Sequence, residues 1–409
     1  LISEDKLMND IFDVINNQGY YIIAEIGVNY YDIAKKEKIS VMDAAKLMCK
    51  EACNAGANAV KFQTYKAGTI ASKYSPSYWD TKEEPTTSQY ELFKKFDSFG
   101  EDEYRQLKQY CDEIGVEFLS TPFDFESADY LEDMMNVYKI SSSDLTNIPF
   151  IEYMCKKGKP VILSVGASHE DEIDRAVSLI RSYGNKLVLM HCVLEYPTPY
   201  EHANLGRILA LQKKYNDCVI GYSDHTKPEK TYDIQKTAFL LGAKVIEKHF
   251  TLDKTLKGND HYHAMDVNDL KNIKASLEYI KKIIGAGTLA CNESESSARA
   301  NARRSVVLKT DMKNGDIIKE NDIDIDSMKI NDLIKFIQEN PSVLKRPIMI
   351  DERRFQVGYN AEEIRVFIPK ELRKLAECHD MDRCPQFSNK DCLNFKKEYE
   401  RDREKESSH

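Results

Sequence analysis

Between residues 20 and 250 the chain repeats one pattern eight times. A short apolar run stops abruptly at polar or ionisable residues, and a longer segment with apolar positions three or four apart follows. The apolar runs occupy 20–28, 59–65, 117–124, 138–144, 160–167, 186–193, 218–225 and 244–250. Runs that are apolar throughout suit parallel strands covered on both faces. The intervening segments 42–55, 102–114, 127–135, 149–157, 170–182, 205–215 and 230–241 read as amphipathic helices, and 267–284 supplies the last of them. Eight βα units in about 250 residues predict an α/β fold of the (β/α)8 TIM-barrel type. An open dinucleotide-binding sheet would need a Gly-x-Gly-x-x-Gly turn after its first strand, and the chain has none.

The pattern changes after the last of these helices. Residues 1–285 form the predicted barrel domain. A Gly-, Ala- and Ser-rich linker over 285–300 leads into 286–328, where short strands flank a tight turn at Asn314-Gly315-Asp316. Residues 329–375 mix helical and strand-like pieces, and 376–409 is a charged tail with little to bury, expected to be disordered. One insertion, 66–99, is polar and aromatic and follows the second strand. It leaves the face on which barrel active sites sit, so it is expected to form a lid.

A chain of 409 residues can bury a large core. No apolar run is long enough to span a membrane, and the acidic start Leu1-Ile2-Ser3-Glu4-Asp5 lacks the order of a secretion signal. A net charge of -9 argues against a nucleic-acid partner. The ten cysteines include no Cys-x-x-Cys pair, so they are read as reduced thiols in a cytoplasmic protein.

Strand C-termini converge on one face of such a barrel. Here they supply Glu25, Lys61, Gln63, Thr121, Lys139, Ser142, Asp144, Ser164, Tyr196, Ser223, Glu247 and two histidines, His225 and His249. Two lysines with small hydroxyls make a cradle for phosphate and carboxylate. The histidines end successive strands, beside Ser223, Asp224 and Glu247, which suits one divalent metal ion. His261 and His263 form a second, lower-ranked metal pair. Each lysine or histidine taken singly also fits a structural role, and the set carries the reading.

Several of these stretches resemble one known family. Ala24-Glu25-Ile26-Gly27-Val28-Asn29, Val60-Lys61-Phe62-Gln63, Ser120-Thr121-Pro122-Phe123, the run 139–147, His191-Cys192 with Tyr196-Pro197, the run 221–226 and the run 245–253 resemble the sialic acid synthases, in family order. That family includes N-acetylneuraminate, legionaminate and 9-phosphate synthases. The resemblance implies condensation of phosphoenolpyruvate with an N-acyl hexosamine to a nine-carbon 2-keto acid, in surface-polysaccharide biosynthesis. It implies Mn2+ or Mg2+ on His225 and His249. Lys61 and Thr121 would hold the phosphoenolpyruvate carboxylate, and Lys139, Ser142, Ser164 and Ser223 its phosphate. Glu25, Tyr196, Glu247 and Asp260 would surround sugar, metal and attacking water. Two departures stand out: Tyr30-Tyr31-Asp32 where relatives carry a His and a small turn, and Leu194 where many carry a polar phosphate contact.

The family also adds a small antifreeze-like (SAF) domain that crosses a swapped homodimer and brings an Arg to the partner's sugar site. Asn301-Ala302-Arg303-Arg304-Ser305 and 311–321 resemble its start, with Arg303 or Arg304 as that Arg; its second half is not recognisable, so the domain reads as incomplete. Residues 329–375 instead resemble Spx-type regulators of the arsenate-reductase-like family, through Glu339-Asn340-Pro341, Lys345-Arg346-Pro347-Ile348, Gln356-Val357-Gly358-Tyr359 and Glu363-Ile364-Arg365. Those regulators bind RNA polymerase. The competing expectation is therefore a regulatory protein with an inert barrel.

Overall fold

The computed structural model describes residues 10–303 apart from 80, 82, 83 and 259, together with the backbone of four later strands. It divides into two units, 1–287 and 288–409. The first is the predicted (β/α)8 barrel. Its strands are β1 (Tyr21–Gly27), β2 (Ala59–Thr64), β3 (Glu117–Pro122), β4 (Tyr138–Ile140), β5 (Val161–Ser164), β6 (Leu187–Cys192), β7 (Val219–Asp224) and β8 (Val245–His249). The ladder runs β3-β2-β1-β8-β7-β6-β5-β4, parallel throughout. β3 and β4, at its two ends, lie against each other and bring the sheet round on itself.

Each observed strand falls inside its predicted run and stops one to four residues before its end. After β4 the chain turns at once into a 3-10 turn, Ser142–Asp144. Helices Glu170–Ser182 and Val267–Ile284 lie where expected. The helix predicted over 127–135 is shorter, Phe125–Tyr130, with Asp124 capping its N-terminus by accepting from the Ser127 amide.

The barrel has two apolar layers. Outward-facing strand residues pack under the helices. Helix Val41–Ala55 shows how: Ser40 caps its start, Gly56 ends it in the left-handed conformation, and Ala44, Ala45, Met48, Cys49 and Ala52 form its buried stripe. Inside the barrel, Tyr21, Ile23, Ala59, Leu119, Val137, Ile162, Met190 and Val245 fill the N-terminal half. Helix Ile11–Gln18, which the sequence reading lacked, closes that end by burying Ile11 and Ile15 against them.

Space inside is tight where β6, β7 and β8 meet. A Cβ on Gly221 would stand 2.2 Å from Met190 Sδ and 2.8 Å from the Val245 carbonyl. The thioether can swing away, but the strand carbonyl cannot. Gly221→Ala is expected to cost about 1–3 kcal/mol, read as a fall of several degrees in melting midpoint.

The insertion 66–99 is built on Tyr31, whose hydroxyl bonds Ser98 Oγ at 2.8 Å and accepts from the Ser98 amide at 3.0 Å. Tyr30 and Tyr31 also pack against Phe99 with tilted rings, and Tyr31 against Phe96. The Tyr30–Glu37 helix, unforeseen at the departure Tyr30-Tyr31-Asp32, thus forms the base of the insertion.

In the second unit, Val307–Leu308 pairs antiparallel with Ile323–Asp324, and Ile348–Asp351 with Arg354–Val357. The second pair falls among the strand-like pieces expected within 329–375. The helices expected within 329–375, and the tail 376–409, lie outside the described residues. Among the described residues no helix is long and apolar enough to cross a membrane.

Candidate active site

Strand alternation builds the site. Two residues beyond each apolar plug position, the inward side chain becomes polar: Ile23 gives way to Glu25, Ala59 to Lys61, Leu119 to Thr121, Val137 to Lys139, Ile162 to Ser164, Gly221 to Ser223 and Val245 to Glu247. The result is a cavity of about 430 Å³ at the strand C-termini, counting solvent at its mouth. Glu25, Lys61, Gln63, Thr121, Lys139, Ser142, Ser164, Tyr196, Ser223, His225, Glu247 and His249 all line it.

Its centre is a buried charge cluster. Lys61 pairs with Glu25, lies 3.7 Å from Glu247 and donates to Thr121 Oγ1 at 3.2 Å. Lys139 lies 3.5 Å from the other Glu247 oxygen and donates to Ser164 Oγ at 2.8 Å. Ser223 donates to Glu247 at 2.8 Å, and Gln63 to Glu25 at 3.1 Å. Two lysines from non-adjacent strands therefore converge on one glutamate.

The charges respond accordingly. Burial opposes ionisation of Glu247, but Lys139 and Lys61 outweigh it and hold the carboxyl down to about 2. Burial also opposes the Lys61 ammonium, but Glu247 and Glu25 raise its pKa. Lys139 is pulled down by burial, against Glu247, which favours its charge. Glu25 is raised by burial, which Lys61 opposes.

The side of the cavity near Ser142 has two walls that the sequence reading missed. Ser142 Oγ lies 3.0 Å from Cys192 Sγ and accepts from the Gly166 amide at 2.9 Å. A Cβ on Gly166 would stand 2.7 Å from that sulfur and 3.0 Å from that hydroxyl, so the backbone approaches this wall more closely than a side chain allows. Cys192 lies two residues beyond Met190, and the same alternation could have found it. Phe123, Ser141 and Leu194 complete the lining. Asp144 departs from expectation. It sits in the turn after β4, accepts from Asn147 Nδ2 at 3.2 Å, and is absent from the lining.

The imidazoles gather on the other side. His225 Nδ1 donates to the Val193 carbonyl at 2.8 Å, so its Nε2 keeps a lone pair. Burial holds His225 down to about 4, and lowers His249 well below the usual imidazole value, so both rings are neutral donors. The two ring centroids lie 5.7 Å apart, and the Tyr196 ring packs against His225 at 4.4 Å in a tilted arrangement. Asp260 is absent from the cavity lining but reaches His249, with Oδ2 3.7 Å from Nδ1. Burial pushes Asp260 up to about 7, with Glu25 adding to the rise.

The pair His261 and His263 does not form. His261 Nδ1 bonds Thr251 Oγ1 at 2.8 Å and its Nε2 lies 3.5 Å from Asp32 Oδ2, which ties the loop to the Tyr30–Glu37 helix. His263 turns instead toward His249, with ring centroids 4.9 Å apart. Its Nε2 lies 3.9 Å from Asp260 Oδ1. His249, Asp260 and His263 bring one donor atom each within 4.8 Å of one another. His249 Nδ1 and both His263 nitrogens are buried without a hydrogen-bond partner, so the donor set fits a cation.

Asp224 corrects the sequence reading. It faces out of the barrel, accepting from Lys248 at 2.7 Å, from Gln235 of helix Asp233–Leu240, and from the Thr226 amide at 2.9 Å. Over the mouth, the insertion places Tyr78 against Tyr196, with centroids 6.3 Å apart. Arg303 is exposed and belongs to the second unit; Arg304 lies outside the described residues.

A parallel (β/α)8 barrel whose mouth pairs lysines and hydroxyls with imidazoles and carboxylates is the architecture of an enzyme that handles a small anion beside a cation. Residues 48–288 match the NeuB family, and the chain belongs to that family. The N,N'-diacetyllegionaminic acid synthase of Legionella pneumophila is 35% identical over 330 residues, covering 79% of this chain and 89% of that protein. The human N-acetylneuraminate-9-phosphate synthase is 30% identical over 299 residues, covering 73% and 80%. The crystal structure of an N-acetylneuraminic acid (sialic acid) synthetase from Leptospira borgpetersenii, in complex with citrate, superposes with a TM-score of 0.59 at 34% identity, over 68% of this chain and 90% of that one. Residues 293–367 match the ArsC family, in keeping with the arsenate-reductase-like tail. That match begins within the stretch read as antifreeze-like.

Proposed function

We propose that the barrel condenses phosphoenolpyruvate with an open-chain N-acyl hexosamine, N-acetylmannosamine or a relative, giving a nine-carbon 2-keto sugar acid and phosphate. The observation that carries this reading is the meeting of Lys61 and Lys139 on Glu247 beside neutral imidazoles. An anion with two negative ends can replace the carboxylates as the lysines' partner. Lys61 and Thr121 would then take the carboxylate end, and Lys139, Ser142, Ser164 and Ser223 the phosphate end.

His225 and His249 would hold Mn2+ or Mg2+, which when bound supplies Lewis-acid polarisation of the sugar aldehyde. The chain's own groups do the rest. They hold the methylene carbon of the enol phosphate against the aldehyde carbon, where the new C–C bond forms. Glu25 and Glu247 lie where they can orient a water toward C2 and take its proton. Cleavage of the C2–O bond then releases phosphate and leaves the 2-keto group. Tyr196 and the insertion shield the reacting carbons from bulk water.

The reading is tested by phosphate release from phosphoenolpyruvate in the presence of Mn2+, across 2-acetamido and 2,4-diacetamido hexoses and their 6-phosphates. Metal-dependent turnover with one of them is expected; none with any would defeat the reading and favour the regulator. Legionaminate and 9-phosphate synthesis are the variants the panel separates. On the same reading Arg303 or Arg304 serves the sugar site of a partner in a domain-swapped dimer through residues 286–328.

A further inference from the structure

We propose that Cys192 is a positioning residue: its thiol donates to Ser142 Oγ and so turns the Ser142 hydroxyl proton into the cavity, toward an anion bound there. The inference rests on reading this wall of the barrel mouth as the place of an anion. It adds a residue that the proposed contacts Lys139, Ser142, Ser164 and Ser223 leave out.

A serine hydroxyl has two lone pairs and one proton. At Ser142 the Gly166 amide takes one lone pair, donating at 2.9 Å. Cys192 Sγ lies 3.0 Å from the same oxygen, and two arrangements satisfy that contact. If the hydroxyl donates to sulfur, its proton is spent and an unfilled lone pair faces the cavity, where it repels an anion. If the thiol donates to oxygen, both lone pairs are filled from the wall. The hydroxyl proton is then left for the cavity.

Three observations select the second arrangement. The thiol keeps its proton, because Cys192 is 2% exposed and burial raises its pKa against the pull of Ser142 and Lys139. Sulfur is a weak acceptor, and an anionic oxygen is a far better partner for the hydroxyl proton. The contact is also held in place. A Cβ on Gly166 would stand 2.7 Å from Cys192 Sγ, 3.0 Å from Ser142 Oγ and 3.2 Å from Leu194 Cγ, so the glycine backbone packs amide, thiol and hydroxyl against one another.

The neighbouring serine has the same polarity. Lys139 donates to Ser164 Oγ at 2.8 Å, which leaves that hydroxyl's own proton to point elsewhere. Ser223, by contrast, spends its proton on Glu247 at 2.8 Å. The wall of Lys139, Ser142 and Ser164 thus presents ammonium and hydroxyl protons together. Cys192 does for Ser142 what Lys139 does for Ser164.

The test titrates phosphoenolpyruvate into the full chain by calorimetry, with Mn2+ present and no sugar, and then measures steady-state constants for both substrates. Cys192→Ala is expected to weaken phosphoenolpyruvate binding roughly tenfold, as for a lost hydrogen bond to a charged group, while the KM of the hexosamine stays within about twofold. Cys192→Ser restores an O–H donor and should recover most of the loss. In a Ser142→Ala background, Cys192→Ala should add less than about twofold, because no hydroxyl is left to orient. Melting midpoints check folding, and Cys192→Val against Cys192→Ser makes the same comparison if the alanine variant does not fold. A purely structural role would move both substrates' constants together. A folded Cys192→Ala that binds phosphoenolpyruvate as the wild type does, or that loses as much without Ser142 as with it, would overturn the proposal. So would a wild type that binds no phosphoenolpyruvate. Binding without turnover of any hexose would defeat the synthase reading and leave this one decided by the variants. Turnover with Cys192→Ala unimpaired would do the reverse.

Discussion

Lys61→Met is expected to abolish turnover and to weaken the fold by about 3–5 kcal/mol. Methionine keeps the length and apolar stem of the side chain and removes only the charge. That charge lies between Glu25 and Glu247 at 4% exposure, with no bulk water to replace it. Its loss leaves two buried carboxylates facing one another across the cavity, with Lys139 serving Glu247 alone. Glu25, already raised by burial, rises further. A carboxyl with a raised folded pKa contributes stability below its unfolded value near ~4.3 and loses it as pH rises through the folded one. The deficit against wild type should therefore be largest at neutral pH and shrink on acidification. Urea unfolding at both pH values and initial rates of phosphate release check the two halves. A variant within tenfold of wild type in kcat/KM would show that Lys61 is structural only.

Much of this arrangement was legible in the chain. Each strand is an apolar run ending in polar residues because its body is covered on both faces and its end is not. That contrast placed Glu25, Lys61, Thr121, Lys139, Ser164, Ser223 and Glu247 on one rim. The errors have a common origin in neglect of the two-residue period. Ser223 and His225 share a face, so Asp224 between them had to point outward; Glu247 and His249 likewise force Lys248 out. Cys192 follows from Met190 by the same step. Other features had no local signal. Ile11–Gln18 is a two-turn amphipathic helix whose role appears only when the barrel end it closes exists. The separate fates of His261 and His263 depend on Asp32 and Asp260, and loop geometry joins those residues without any sequence period.

The outward pair leads to the second large effect. Lys248→Met alone is expected to destabilise the barrel by about 3–5 kcal/mol. It strands Asp224, which is wholly buried, with only Gln235, Tyr222 and the Thr226 amide left to it. In the intact protein burial opposes the Asp224 carboxylate, and Lys248 more than offsets it, leaving the pKa below the usual value. Lys248 also donates to the Thr226 carbonyl at 2.6 Å. The ammonium thus fastens the chain just past β7 to the end of β8, and the residues next to these contacts are His225 and His249. Asp224→Asn with Lys248→Met removes both charges and should recover part of the loss, giving a coupling energy measurable by a double-mutant cycle in urea. If the pair also sets the spacing of the imidazoles, the double variant will regain stability without regaining Mn2+ affinity. Recovery of both together would mean that the pair supports the fold and that the histidines hold their places without it.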